Sequence, residues 1–238
     1  MKQETRRERN TPPRPWSQLT PAIVSWSGGK DSMLALHRVL AAGEYRVEAL
    51  LTTVTSGYDR ISMHGVRTSL LEEQARSLGI PLVTAVIPQR ASNEQYEEAM
   101  LRALVTFFGR GIKHVICGDL FLEEIREYRE KLFSRVGMQG VYPLWLEDTR
   151  ALADEFVTAG YKAALCCVDP RVVPEEMSGR EYDAALIEEL PKGVDPCGEN
   201  GEFHTFVYDG PIFSVPVKMR KGECVTRDGF RFSDMLPG

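Results

Sequence analysis

Between Ala22 and Val168 the chain alternates apolar, strand-like runs with helical patterns, and little else fits that order. The strand candidates are "AIVSW" (22–26), "VEALLTTV" (47–54), "PLVTAVI" (81–87), "HVICG" (114–118) and "KAALCCV" (162–168); "VYPLW" (141–145) is a shorter, partly apolar run. Helical periodicity occupies the intervals: about 32–42, 66–79 ending at Gly79, 93–111, 123–137, and 148–160 started by Asp148 or Thr149. Continuous apolar strands in turn with helices predict a parallel sheet covered on both faces, and right-handed crossovers make it doubly wound. Ligands of such sheets sit beyond the carboxyl ends of the strands, near the point where strand order reverses. After about residue 190 turn residues multiply and the runs shorten, which predicts a small β-rich C-terminal lobe.

The segment joining the first strand to the first helix is Ser27-Gly28-Gly29-Lys30-Asp31-Ser32. Glycines admit positive φ and close approach of an anion. A helix start offers unpaired N–H groups and the positive end of the dipole. Asp31 and Ser32 are suited to cap the helix, the serine hydroxyl can also donate to phosphate, and Lys30 adds a cation. Together they predict a phosphate cradle. The spacing is neither G-x-x-x-x-G-K-[ST] nor G-x-G-x-x-G.

Other stretches carry candidate chemistry. "SMHGVR" (62–67) offers His64 and Arg67 to an adenosine or a phosphate. Gly118-Asp119 ends the fourth strand, where a carboxylate beside a triphosphate suits Mg²⁺. Arg126 and Arg129 lie on a helix whose charges are spaced for ion pairs, which a solvated face explains, and the two arginines are also candidates to contact phosphate or substrate. In "CGENGEFHTFVYDGPIF" (197–213), Glu199, Asn200, Glu202, His204 and Thr205 crowd seven positions ahead of an apolar run. A turn needs glycine and asparagine, not two acids and a histidine, so a binding or catalytic role is expected there.

"SGGKDS" resembles the signature of the PP-loop ATP pyrophosphatases. Together with "GDL" (118–120), "PLW" (143–145) and the 199–205 stretch, the chain resembles the diphthine–ammonia ligase-related branch over residues 22–215. The resemblance implies a nucleotide α-hydrolase-like fold and a ligase that uses ATP and Mg²⁺. Such a ligase adenylates a carboxylate with release of pyrophosphate, and ammonia or an amine then displaces AMP. It assigns nucleotide binding to Ser27, Gly28, Gly29, Lys30, Asp31, Ser32, His64, Gly118 and Asp119, with the metal on Asp31 and Asp119. Catalysis falls to Lys30, Asp31, Glu202 and His204, and acceptor binding to Glu199, Asn200, Glu202, His204 and Thr205. The diphthamide enzymes read E-G-G-E-[FY]-E-T in this second motif; here Asn200 replaces a glycine and His204 an acid. That variant is similar to a bacterial subgroup connected with cobalamin salvage, so the acceptor, a small molecule or a protein, stays open.

Three regions are expected: a polar N-terminal arm (1–20), an ATP-binding α/β domain (21–145) and an acceptor-binding region (146–238). The arm has no apolar core of the signal-peptide kind, and no stretch reaches the roughly 18 apolar residues of a membrane span. Five cysteines, odd in number and without a C-x-x-C pair, read as reduced thiols in a cytoplasmic protein. The net charge of −5 gives no support to nucleic-acid binding. That charge and the lack of a cysteine pair count against a sulfur-inserting tRNA enzyme, and the acids of 199–205 against a nucleotide sensor without turnover. A homodimer is left open.

Overall fold

The computed structural model describes residues 15–57, 60–61 and 65–238. Most of the expected N-terminal arm therefore lies outside the described residues. A parallel sheet carries strands β1 (Thr20–Ser25), β2 (Tyr45–Thr55), β4 (Leu82–Ile87), β5 (His114–Ile116) and β6 (Gln139–Val141) in the order β4-β2-β1-β5-β6. A two-residue strand β3 (Arg60–Ile61) pairs antiparallel with the end of β2. Helices α1 (Lys30–Ala42), α2 (Thr68–Leu78), α3 (Asn93–Gly109) and α4 (Glu123–Ser134) make the crossovers.

β1 shows why the sheet is double-faced. Ala22, Ile23 and Val24 are all fully buried, and because side chains alternate along a strand they serve two cores. Ala22 and Val24 join the cluster that includes Met33 and Leu36 of α1, while Ile23 joins Leu104 and Phe107 of α3 and Phe133 of α4. The chain runs outward from β1 through β2 to β4, then returns to β5 on the other side of β1. The order thus reverses between β1 and β5, which is where a crevice opens at the carboxyl edge.

The second sheet is antiparallel, in the order β8-β7-β10-β9, from β7 (Lys162–Val168), β8 (Phe203–Asp209), β9 (Met219–Arg227) and β10 (Phe230–Pro237). β7 had been expected to follow the parallel pattern. Its six consecutive buried residues read the same way in either kind of sheet, so only pairing decides. Asp228 (φ +50°) and Gly229 (φ +84°) turn the β9–β10 hairpin, as a two-residue Asp-Gly turn requires. Helices α5 (Thr149–Thr158) and α6 (Ala184–Glu189) complete this half. Asp148 caps α5, its carboxylate accepting the Ala151 N–H at 2.7 Å. The larger cluster runs without a break from Val24 to Phe206 and Met235, joining both sheets through one core.

Candidate functional site

The turn after β1 is assembled by both halves of the chain. Gly28 adopts φ +75°, and a Cβ there would lie 2.5 Å from Leu71; no other residue fits. The expected cap is corrected: Gly29 is the N-cap of α1, and Asp31 and Ser32 lie inside its first turn. No side chain of α1 caps the helix. Instead Thr205, on β8, accepts the Lys30 N–H at 3.0 Å, and Val207 donates its N–H to the Gly28 carbonyl at 3.0 Å. On the cavity side the Ser27 and Ser32 hydroxyls lie 3.0 Å apart, and the Gly29 N–H reaches Ser27 Oγ at 3.2 Å. Gly118, at the end of β5, abuts the same first turn; a Cβ on it would stand 2.7 Å from the Asp31 carbonyl carbon.

Lys30 does not extend freely into the cavity. Its ammonium holds both carboxylate oxygens of Asp31 at 2.9 and 2.8 Å and donates to the Cys197 carbonyl. The rings of Tyr182 and Phe203 lie 5.8 and 5.5 Å away. Burial works against the charge, but the Asp31 carboxylate beside it, together with Cys197 and Glu199, offsets this and holds the ammonium above its usual pKa. Both residues line the cavity, and the Asp31 side chain is 30% exposed.

The cavity encloses about 620 Å³, within the range of small-molecule sites. Its lining includes the polar set Ser27, Gly29, Ser32, Gly118 and Asp119 and the apolar set Ile61, Ile87 and Met100. Asp119 is 8% exposed. Its Oδ1 accepts from Arg129 Nε at 2.9 Å, and Arg129 also donates to Ser25 Oγ at 3.2 Å. Burial opposes the Arg129 charge, yet Asp119 keeps its pKa raised. Asp119 Oδ2 is buried with no hydrogen-bond partner. An orphaned carboxylate oxygen at the wall of a phosphate-sized cavity fits a divalent cation held by one carboxylate and by phosphate. Among the described residues no cluster of three or more His, Cys, Asp or Glu could hold a metal on its own.

The 195–205 segment adjoins the glycine turn and divides the expected residues. Glu199, His204 and Thr205 line the cavity. Glu199 accepts the Leu120 N–H at 2.8 Å; burial pushes its carboxyl up to about 7, with Asp31 and Asp119 adding to the rise and the Leu120 bond opposing it. Glu202 and Asn200 are not in the lining, and Glu202 Oε2 is buried with no hydrogen-bond partner. Glu202 Oε1 accepts from the Asp195 N–H and from Asn200 Nδ2, each at 3.0 Å, and so ties its own loop. Gly28 likewise sits behind the turn. Arg67 turns to Asp234 of β10 at 2.7 Å rather than to the nucleotide side. Arg126 stacks on Tyr142 and Trp145, 4.8 and 4.6 Å from the ring centres. His64 lies outside the described residues.

Gln74 on α2 escaped the sequence reading. It is fully buried and bonds to Trp26, Gly28 and Val207. The signal was there: Leu70, Leu71, Gln74, Ala75 and Leu78 share one helical face, so a glutamine stands on the core side. All five cysteines are unpaired. Burial pushes the Cys197 thiol up to about 12, and its Sγ donates to the Thr149 carbonyl.

A glycine turn at the switch point, joined by the loop before β8 with a carboxyl poised near neutrality, defines a nucleotide-dependent ligase of the PP-loop type. The models of the diphthamide synthase N-terminal and C-terminal domains match residues 20–140 and 148–231, and the chain belongs to that family. It is 23% identical to the diphthine–ammonia ligase of Bos taurus, with 87% of this chain and 85% of that protein covered. With the diphthine–ammonia ligase of Danio rerio it shares 25% over 87% and 89%. With that of Schizosaccharomyces pombe it shares 25%, over 84% of this chain and 36% of the larger yeast protein.

Proposed function

We propose that the chain uses ATP to adenylate the carboxylate of an acceptor and passes the acyl group to ammonia or an amine. One observation carries the reading: the Ser27–Ser32 turn and the Glu199–Thr205 segment, tied together by the Lys30 N–H to Thr205 bond, line the same cavity. The polyphosphate would lie on the Gly29 N–H and the Ser27 and Ser32 hydroxyls, with the nucleoside toward Ile61, Ile87 and Met100. Attack of a carboxylate oxygen on the α-phosphorus forms an acyl-adenylate and breaks the α–β bridge, and the electron pair leaves with pyrophosphate. Ammonia then attacks the acyl carbon; AMP departs, and one proton is lost from nitrogen. Glu199, half ionised near neutrality, and His204 stand where that proton would be taken up. Arg129 and Asp119 keep the floor of the site rigid. A magnesium ion held by Asp119 Oδ2 would supply charge neutralisation at the phosphates.

The acceptor is a carboxylic acid, free or on a protein, and the relatives' name points to diphthine. His204, where the diphthamide enzymes carry an acid, favours a different acceptor, and a corrinoid carboxylate is the first to try. Five unpaired thiols suit a reducing cytoplasm, and no helix among the described residues is long and apolar enough to cross a membrane.

The test is pyrophosphate release from ATP across a panel of carboxylic acids, diphthine-bearing protein and corrinoids, with ammonium or amino alcohols. Acceptor-dependent release supports the proposal. ADP and phosphate as the products would refute it.

A further inference from the structure

We propose that Gln74 is a positioning residue for the nucleotide tail, locking the Gly28–Gly29 peptide so that its N–H, and not its carbonyl, faces the cavity. The inference rests on the reading of the glycine turn as the polyphosphate seat. Gln74 is fully buried, and its amide is satisfied on three sides. Oε1 accepts the Trp26 indole N–H at 2.9 Å; Nε2 donates to the Gly28 carbonyl at 3.1 Å and to the Val207 carbonyl at 2.6 Å. Chemistry dictates that orientation, because an indole nitrogen only donates and a backbone carbonyl only accepts.

The consequence for the turn follows from peptide planarity. In a trans peptide the C=O and the next N–H point in opposite directions. The Gly28 carbonyl is held inward by Gln74 and by the Val207 N–H. The Gly29 N–H must therefore point outward, where it meets Ser27 Oγ at the cavity wall. A peptide between two glycines flips more readily than any other, and the flipped form would present a carbonyl oxygen to phosphate. Gln74 and Val207 hold the peptide against that flip. Neither Gln74 nor Gly28 lines the cavity, so the residue acts through the backbone and touches no substrate.

The experiment is calorimetric titration of the full chain with inorganic pyrophosphate and, separately, with adenosine. Gln74→Met should weaken pyrophosphate binding about tenfold or more, the scale of one lost hydrogen bond to a buried group. Adenosine binding should stay within about twofold, since the apolar part of the lining is untouched. Leu104→Ala, in the opposite core, should lower thermal stability without changing the ratio of the two affinities. Should Gln74→Met fail to fold, Gln74→Glu, isosteric and still able to accept from Trp26, carries the same test with the same direction. Wild-type pyrophosphate affinity in the Gln74 variant, or equal loss of both ligands, overturns the inference. A Ser27→Ala/Ser32→Ala double variant separates the two levels: if it leaves pyrophosphate affinity unchanged, the polyphosphate seat itself is misplaced and the role of Gln74 falls with it.

Discussion

Thr205 Oγ1 accepts the backbone N–H of Lys30 at 3.0 Å, so a residue 175 positions downstream completes the first turn of α1. The nucleotide turn is thereby a joint product of two sheets, and the first half of the chain does not finish it alone. Thr205→Ala should cost about 1 kcal/mol of stability, as lost caps do, and raise the KM for ATP. Thr205→Ser should restore both. Urea unfolding and initial-rate kinetics check this.

Lys30 is buried and Asp31, 30% exposed, is its counter-ion. Asp31→Asn strands the buried ammonium and should destabilise by about 3 kcal/mol, and Lys30→Met, which leaves a partly solvated carboxylate, should cost less. The double variant should lose less than the two losses combined, with a coupling of about 1 kcal/mol or more. A double-mutant cycle in urea measures the coupling. Strict additivity would mean that the ammonium is not spent on Asp31.

Glu199 sets a pH dependence. Its carboxyl lies at about 7 in the folded chain against an ordinary 4.5, chiefly through burial. A raised pKa means that the folded state binds the extra proton. The stabilisation is complete below the ordinary value and is lost as pH rises through about 7. Wild type should therefore lose melting temperature relative to Glu199→Gln between about pH 5 and pH 8. Amide formation should rise over the upper part of that range in wild type and flatten in the variant. Parallel melting curves for the two proteins would contradict the assignment.

The C-terminal hairpin is clamped to the parallel-sheet half by one carboxylate and two guanidinium groups. Asp234 takes Arg60 at 2.9 Å and Arg67 at 2.7 Å. Burial alone would raise the Asp234 carboxyl; the two arginines outweigh it and hold the pKa at about 2. A depressed pKa stabilises above the ordinary value of 3.8 and ceases to do so as pH falls through about 2. Asp234→Asn should cost about 1–2 kcal/mol at neutral pH, discounted for the partial exposure of all three groups. The deficit relative to wild type should vanish as acid is approached, which urea midpoints at several pH values can follow.

The parallel sheet was legible because strands such as β1 and β5 are apolar and helix ends carry marks such as Gly79. β6 was not, since Gln139-Gly140-Val141 is barely apolar and lies ahead of the 141–145 run expected as the strand. β7 was not, since "KAALCCV" buries both faces in either kind of sheet and its partners lie far along the chain. Within the site the glycine turn, Asp119, Glu199, His204 and Thr205 were visible as residue types out of keeping with a plain turn. Glu199 and Glu202 were indistinguishable by composition; only the bonds from Asp195 and Asn200 turn one inward to the loop and leave the other facing the cavity. Lys30 has a partner that composition alone did not show. A lysine beside a glycine turn suits phosphate, but one adjacent to Asp31 and roofed by Tyr182 and Phe203 finds its counter-ion inside the protein.

The most direct test of the account follows oxygen. An acceptor identified by pyrophosphate release is labelled with ¹⁸O in its carboxylate, and the AMP formed in the presence of ammonium is analysed by mass spectrometry. Attack of the carboxylate on the α-phosphorus leaves one labelled oxygen in AMP, and that is the expected result. Unlabelled AMP, or label found in inorganic phosphate, would contradict adenylation of the acceptor.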